Sequence, residues 1–234
     1  MIHVLVLGAT GRAGSAALTQ LSNRAHTIAA FRTDRDRSRL PRKARPSATT
    51  VVEIDSHATL ASAVHGVDVI VNAIRLREEI ADTALIDLHH RILDATAPDG
   101  ETPLIVTVGG AGALRTPDGA RFWQHPTFPP RTVPRGRAHA QLRDHLEAGQ
   151  AGDRWAYLVP PPVFDPAGPA TGQFRLWAPS DDESAFTRSS ISYQDYASAL
   201  AEAVLTTLTG TTLVGGATSS PEVTKAPGPG HTGP

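Results

Sequence analysis

Short apolar runs alternate along this chain with segments in which apolar residues recur at helical spacing. The apolar runs are of strand length and almost free of polar residues, which is typical of parallel strands covered on both faces. They lie at 2–7, 27–31, 50–54, 67–73, 104–108 and 155–159. Strands that alternate with helices predict an α/β fold, a Rossmann-type doubly wound parallel sheet in a single domain.

Caps and breakers mark the ends of the predicted helices. Helices are expected after residue 11, from 56 to 64, from 80 to 97, from 136 to 148 and from 193 to 208. Gly66 follows the second helix, and the Pro-Asp-Gly sequence at 98–100 stops the third. Ser192 and Asp195 have the spacing of a capping box at the start of the last helix. Segment 168–188 is irregular, with a short hairpin as an option, and 211–214 is expected to be an edge strand.

Composition limits the classes of protein that this chain can form. With 234 residues, 40% of them hydrophobic, it can bury a full core as one domain. Its net charge of −1 and pI near 6.8 give no electrostatic case for binding nucleic acid or a membrane surface. The absence of cysteine excludes disulfides, thiolate catalysis and cysteine zinc sites. Because it has no apolar run of membrane length and no signal peptide, we expect a cytoplasmic protein.

Two segments fall outside the alternation of strands and helices. Residues 215–234 are dominated by Gly, Pro, Ser and Thr, so we expect a disordered tail behind a domain of residues 1–214. Residues 115–134 form a long loop, and the aromatic residues Phe122, Trp123 and Phe128 favour a function for it. The ten histidines show no spacing typical of metal ligands, and no metal site is expected.

The glycines at the end of the first strand predict a phosphate-binding turn. Gly8 lets the backbone take a positive φ, Gly11 lets a diphosphate approach the main chain, and Gly14 lets the helix pack closely on the strand. The start of the helix then offers free N–H groups to the phosphates. A purely structural turn is the alternative. The predicted contacts are Gly8, Thr10, Gly11, Arg12, Ala13 and Gly14.

An arginine marks the end of the second strand. Arg32 lies eighteen residues beyond Gly14, where such folds distinguish the 2′-hydroxyl of NAD from the 2′-phosphate of NADP. An arginine at this position favours NADP, with NAD as the alternative. The basic residues that follow are interpreted mainly as solvated: Arg37, Arg39 and Arg42.

Further contacts are expected where later strands end, because ligands of open α/β sheets bind at that edge. Asp55 follows the third strand and could equally cap the next helix. Gly109 and Gly110 follow the fifth strand and imply close approach of the backbone either to the nicotinamide or to the neighbouring chain. The other contacts expected for the cofactor are Asn72 and Ala73, and those for the acceptor are Ala111, Trp123, His125, Pro161 and Phe164.

Taken in order, these segments resemble the NAD(P)H-binding atypical short-chain dehydrogenase/reductase group. This group includes NADH-flavin-reductase-like bacterial proteins and the biliverdin reductase B type of flavin reductase. The matching segments lie at 6–14, 106–114, 126–129, 155–161, 171–176 and 191–197. The resemblance implies a nicotinamide cofactor on the first glycine turn and reduction of a flavin or another planar acceptor. The arginine-rich segment and the tail depart from the group's pattern.

The residues available for catalysis narrow this chemistry. A standard short-chain dehydrogenase uses a tyrosine with a lysine four residues later, and the only lysines here are Lys43 and Lys225. Flavin reduction needs stacking on the nicotinamide, and solvent can supply the proton. We therefore expect an NADPH-dependent reductase of a small-molecule acceptor, with no catalytic residue assigned. The alternatives are a non-catalytic NADP sensor and an epimerase or isomerase that uses His125 or Asp165; the oligomeric state is left open.

Overall fold

Ten strands and five α-helices make up the part of the chain that the structure, a computed structural model, describes: residues 1–76, 80–96 and 102–216. The strands are β1 (His3–Leu7), β2 (His26–Phe31), β3 (Ala48–Val51), β4 (Val69–Asn72), β5 (Leu104–Val108), β6 (Trp155–Val159), β7 (Val163–Asp165), β8 (Phe174–Trp177), β9 (Ser190–Ser192) and β10 (Gly210–Gly216). The helices are α1 (Arg12–Leu21), α2 (His57–Val64), α3 (Ala84–Ala95), α4 (Val133–Glu147) and α5 (Tyr193–Leu205). The helix stop predicted at 98–100 and positions 217–234 of the predicted tail lie outside the described residues.

The main sheet has the strand order β3-β2-β1-β4-β5-β6-β10-β8. All its neighbouring strands pair in parallel except β10 and β8. The chain builds outward from β1 to β3 on one side and then returns to place β4 on the other side of β1. Such a reversal leaves a crevice above the carboxyl ends of the two central strands, where ligands of doubly wound sheets bind. The predicted fold class is confirmed.

Alternate residues of β1 point to opposite faces of the sheet, and each face carries its own layer of helices. Leu5 and Leu7 pack with residues of α2, α3 and α4. Val4 and Val6 pack with residues of α1 and α5. All four side chains are almost completely buried, and burial of each contributes roughly 1.5–3 kcal/mol. This two-sided burial explains why the strand reads as a continuous apolar run.

The strand at the C-terminal end of the described chain is not the edge strand that the sequence predicts. β10 lies between β6 and β8, and residues 174–177 of the segment interpreted as irregular cover its outer side as β8. Gly215 and Gly216 extend β10 and pair with Arg175 and Phe174. The ordered domain therefore continues beyond Val214, the predicted boundary, because an antiparallel partner far away in sequence satisfies the backbone of these glycines.

Two predicted helix boundaries differ from those in the structure. α3 begins at Ala84 and ends at Ala95, whereas the periodicity predicts 80–97. α4 begins at Val133, three residues earlier than predicted, and Pro134 lies in its first turn. Proline is tolerated there because the first N–H groups of a helix have no partner within the helix. None of the helices in the described ranges combines the length and the apolarity needed to cross a bilayer.

Only half of the capping box predicted at the start of α5 is present. Ser192 Oγ accepts a hydrogen bond from Asp195 N at 3.0 Å. The Asp195 carboxylate instead accepts hydrogen bonds from the backbone N and Oγ1 of Thr171 and from Gly172 N, at 2.7–2.9 Å. The Asp195 carboxylate is therefore occupied by the segment before β8, which it anchors to the first turn of α5.

Candidate functional site

The turn from β1 to α1 is built so that three chain segments meet without side chains between them. Gly8 has a φ of +75°, and a Cβ atom there would lie 2.8 Å from the carbonyl oxygen of Ala73, at the exit of β4. A Cβ atom at Gly14 would collide with the carbonyl oxygen of Gly8. The first and third glycines therefore bring the turn against β4 and α1 against the turn. Gly11, half-buried, is the N-cap of α1.

The start of α1 has free donors and no competing acid. In the part of the chain that the structure describes, no side chain caps this helix and its first turn contains no acidic residue. Its first N–H groups have no partner within the helix and carry the positive end of the helix dipole. Arg12 is exposed beside them and Thr10 is half-buried. An anionic diphosphate fits this turn, because it would satisfy these donors without displacing a side chain.

Among the described residues, the basic segment after β2 contains both arginines with a side-chain partner and arginines without one. Arg39 pairs with Asp36 at 2.8 Å, and Arg37 donates to Thr49 Oγ1 at 2.5 Å. Arg32, at the carboxyl end of β2, is exposed and makes no hydrogen bond or ion pair with any residue that the structure describes. Its guanidinium is therefore available to a ligand at the edge of the sheet where the glycine turn lies.

The other predicted cofactor contacts fall into two groups. Asp55 is exposed and pairs with Arg91 at 2.5 Å, while Ser56 caps α2 by accepting from Thr59 N at 3.4 Å. Asp55 is therefore not the helix cap that was considered as its alternative role. Asn72, by contrast, is buried at the end of β4, and its Oδ1 accepts a hydrogen bond from Ile74 N at 3.3 Å.

A buried hydroxyl next to Asn72 escapes sequence analysis. The parallel register aligns Asn72 of β4 with Thr107 of β5. Thr107 Oγ1 is buried and has no hydrogen-bond partner within the described ranges. A threonine within an apolar strand looks like an ordinary β-branched residue, so only the register reveals its position beside the crevice.

The glycines after β5 are explained by packing within the chain. A Cβ atom at Gly109 would lie 2.5 Å from the carbonyl oxygen of Leu158 in β6. A Cβ atom at Gly110 would lie 2.5 Å from the imidazole ring of His139 in α4. The sequence predicts close approach of these glycines either to the nicotinamide or to other segments of the chain. The structure describes contact with other segments, β6 and α4.

His139 and Tyr157 form a hydrogen-bonded pair at the end of β5. His139 Nδ1 lies 2.9 Å from the Tyr157 hydroxyl, which also accepts from Gly110 N at 3.3 Å. Burial, and then the charge of Arg135, lowers the pKa of His139 to about 4. Burial raises the pKa of Tyr157 well above its usual value. At neutral pH the imidazole is therefore uncharged and the phenol is protonated.

The free edge of this imidazole is its chemically available part. Among the described residues, Nε2 of His139 has no hydrogen-bond partner, and the side chain is half-buried rather than sealed. Sequence analysis assigned no role to His139. The usable signals were its position on the predicted helix from 136 to 148 and the glycine that makes room for its ring.

The predicted acceptor contacts after β6 lie beside an aromatic stack. Pro161 is buried, and Phe164 in β7 stacks on Tyr193 with ring centroids 3.8 Å apart and planes 9° apart. Tyr193 is the first residue of α5. Ala111 begins a short 3₁₀ turn that continues from Gly110. These residues lie at the carboxyl edge of the sheet because they follow the ends of β5 and β6.

Two other predicted acceptor contacts lie elsewhere. Trp123 packs beneath the guanidinium of Arg137, 5.1 Å away, and Arg137 is on the other side of α4 from Arg135, since two residues turn a helix by about 200°. His125 is exposed, lies 2.8 Å from Thr127 Oγ1 through Nδ1, and lines a surface cavity of about 430 Å³ that includes Asp118. Among the described residues, neither Trp123 nor His125 stacks on Phe164, whose ring partners are Tyr193 and Tyr196.

The segment that carries His125 is anchored at the far end of α4. Arg115 pairs with Glu147 at 2.6 Å, and Arg121 pairs with Asp144. Asp165, the other acid or base considered from the sequence, is exposed and accepts from Ala167 N at 2.8 Å. Neither His125 nor Asp165 has the enclosed position of His139.

The chain matches a protein-family model and has a relative of similar length. A family model described as NAD(P)H-binding matches residues 8–207. The Bacillus subtilis protein YwnB, described only as uncharacterized, is 28% identical over 201 residues, which are 83% of this chain and 88% of YwnB.

Solved structures share the fold at low sequence identity. A Streptococcus pneumoniae protein named as a candidate NADH-flavin reductase has a TM-score of 0.74 and 21% identity, over 92% of this chain and 100% of its own. A Bacteroides thetaiotaomicron protein named as a candidate epimerase has a TM-score of 0.73 and 21% identity, over 92% of this chain and 96% of its own. At these identities the similarity concerns the fold, which hosts both kinds of chemistry.

Proposed function

This chain belongs to the NAD(P)H-binding family, and from that premise we propose that it is an NADPH-dependent oxidoreductase that reduces a flavin or a similar planar acceptor. The observation that carries the proposal is the uncapped start of α1 behind Gly8, at the point where the strand order reverses. Main-chain donors at this place bind the diphosphate of a dinucleotide. The bound nicotinamide supplies a hydride for the reduction.

The preference for NADPH rests on two exposed arginines. Arg32 and Arg12 make no ion pair in the described ranges, so both are free to contact a 2′-phosphate. Arginine binds phosphate through several parallel donors, which a hydroxyl cannot use equally. Arg39, already paired with Asp36, is the internal contrast.

The crevice above β4, β5 and β6 suits a planar acceptor. Asn72 and Gly110 border its floor, and Phe164 with Tyr193 supplies an aromatic wall. Positioning of the acceptor is the main contribution required of the protein, because a reduced flavin can take its proton from solvent. The name of the pneumococcal relative supports this choice of acceptor.

An epimerase or isomerase is the second candidate, and the arrangement at His139 favours it. An uncharged imidazole with a free Nε2 in a crevice can accept a proton from a substrate and return it. The candidate epimerase from Bacteroides shares the fold. Such an enzyme would show no net consumption of NADPH, which separates it from the reductase.

The test is direct. Purified protein is mixed with NADPH and either FMN or riboflavin, and loss of the nicotinamide absorbance band is followed. Turnover well above the spontaneous rate supports the reductase. Tight NADPH binding without turnover would support the NADP sensor or the isomerase, and absence of NADPH binding would overturn the family-level assignment of the turn.

A matched pair of variants ties the activity to the turn. Gly14→Val places a side chain against the Gly8 carbonyl, so we expect loss of NADPH binding. Gln20→Val, six residues later on the same helix and also half-buried, places the same β-branched side chain in α1 away from that carbonyl and is the control for a general effect of valine in this helix.

A further inference from the structure

We propose that the acceptor is an anion and that Arg135, assisted by Arg75, binds its phosphate or carboxylate group. This inference rests on the proposed function, because it names the chemistry of the acceptor that the crevice receives. It begins from Arg135, a cation that has no ion-pair partner among the described residues.

The fold brings Arg135 and Arg75 to the same edge of the sheet. Arg75 follows β4, three residues after Asn72. α4 runs back from the carboxyl edge after β5, so Arg135 in its first turn lies at that edge. The charge of Arg75 is close enough to lower the pKa of Arg135, after burial as the larger cause, while Tyr193 acts in the opposite direction. Arg135 therefore lies near enough to Arg75 after β4 and to Tyr193 at the start of α5 for both to act on its charge.

The other arginines of α4 have acidic partners. Arg137 pairs with Asp82 at 3.2 Å, and Arg143 pairs with Glu183 at 2.7 Å. Arg135 has none: within the described ranges it makes no hydrogen bond or ion pair, and its Nε is buried without an acceptor. A half-buried guanidinium without a partner costs free energy, and a second cation nearby increases that cost. An anion from solution would remove both costs.

The site differs from the one expected for the diphosphate. The glycine turn lies at the exit of β1, whereas Arg135 is on the helix that packs beside β5 and β6. Tyr193, which acts on the pKa of Arg135, is stacked on Phe164. A planar acceptor on this aromatic wall would therefore have an anionic substituent within reach of a free arginine.

FMN and riboflavin are the probes, since they differ by one phosphate group. Their equilibrium binding to NADP⁺-loaded protein is measured by flavin fluorescence, so that the glycine turn is already filled. We expect FMN to bind at least about tenfold more tightly than riboflavin, as a charge-assisted contact to phosphate would provide. Arg135→Met should remove this preference and leave riboflavin binding unchanged, and Arg75→Met should reduce it.

Arg131→Met is the matched control. Arg131 is exposed in the turn before α4 and makes no ion pair with the described residues, so the variant removes the same charge nearby and should keep the preference for FMN. Arg135→Met should also keep or raise the melting temperature, because it removes a charge without a partner. A merely structural arginine would lower it.

The outcomes separate this inference from the proposed function. Equal affinity for the two flavins, or a preference for FMN that survives in Arg135→Met, overturns the anion site even if NADPH is consumed. If neither flavin binds, the proposal of a flavin acceptor is wrong. The anion site is then tested with inorganic phosphate, whose binding to NADP⁺-loaded protein is followed by phosphorus NMR. Broadening of its resonance by the wild type and not by Arg135→Met supports the site; equal behaviour of the two proteins overturns it.

Discussion

Nδ1 of His139 lies 2.9 Å from the hydroxyl oxygen of Tyr157, and this contact joins α4 to β6 beneath the crevice. The same hydroxyl accepts from Gly110 N at 3.3 Å. The Tyr157 hydroxyl therefore links three elements that border the candidate site: α4, β6 and the segment that follows β5.

Tyr157→Phe should destabilise the protein by about 1–3 kcal/mol, because it leaves the Gly110 N–H and His139 Nδ1 without their partner. The free energy of unfolding is measured in urea. Tyr193→Phe is the control, since the Tyr193 hydroxyl makes no hydrogen bond within the described residues, and its effect should be within about 0.5 kcal/mol. Equal losses in the two variants would refute the role assigned to the Tyr157 hydroxyl.

Arg32→Ser should weaken NADPH binding by about tenfold or more and leave NADH binding nearly unchanged, because only NADPH carries the 2′-phosphate. Dissociation constants for the two nucleotides are measured by nicotinamide fluorescence. Arg39→Ser is the control, as Arg39 is held by Asp36 at 2.8 Å. If both variants change the ratio of NADPH to NADH affinity equally, the effect is one of general charge and Arg32 is not the selector.

His89 should make the protein less stable in acid. Burial lowers its pKa from 6.5 to about 4, with His90 and His145 adding to the effect, and neither ring nitrogen has a partner in the described part of the chain. Since the unfolded state binds the proton more readily, stability is lost as pH falls from about 6.5 towards 4, by about 3 kcal/mol from this residue.

His89→Leu should remove this dependence on pH, because leucine fills the same apolar site without a titrating group. Urea unfolding is compared at pH 7.5 and pH 5, and the difference between wild type and variant should grow in favour of the variant at the lower pH. His65→Leu, at an exposed histidine, should show no such growth. A constant difference at both pH values would mean that folding does not lower the pKa of His89.

A buried ion pair holds the segment after β8 against α4. Arg143 and Glu183 have fully buried side chains 2.7 Å apart, and Glu147 also accepts from Arg143 at 2.8 Å. Burial opposes the charge on Arg143, but hydrogen bonds with Glu183 and Glu147 raise its pKa above the usual value.

Glu183→Ala should therefore destabilise the protein by about 3 kcal/mol, because it removes the carboxylate that accepts from both Nη atoms of the buried Arg143 and leaves Glu147 as its remaining acidic partner. The matched control is Glu202→Ala, which breaks the exposed pair with Arg24 and should cost less than about 1 kcal/mol. Both are measured by urea unfolding. Similar small losses would show that water reaches Arg143 when its partner is removed.

The sequence alone determined the alternation of β1 to β6 with helices and the position of the glycine turn. The apolar runs at 104–108 and 155–159 coincide with β5 and β6, because a strand covered on both faces has no polar position to interrupt it. Gly8 and Gly14 could also be identified from the sequence, because a tight strand-to-helix turn is formed by residues that are close together in the chain and requires glycine at particular positions.

Only the tertiary structure decided which distant residues meet. Asp195 reads as part of a capping box, but its carboxylate binds Thr171 and Gly172, and 211–214 reads as an edge strand until β8 covers it. Likewise, His139 is a candidate because its ring lies against Gly110 and contacts the Tyr157 hydroxyl. Arg137 differs from Arg135 because it pairs with Asp82, which is distant in the sequence. Local patterns specify backbone conformation, whereas hydrogen-bond partners and charge balance depend on the order of strands in the sheet, which brings together residues that no spacing in the sequence connects.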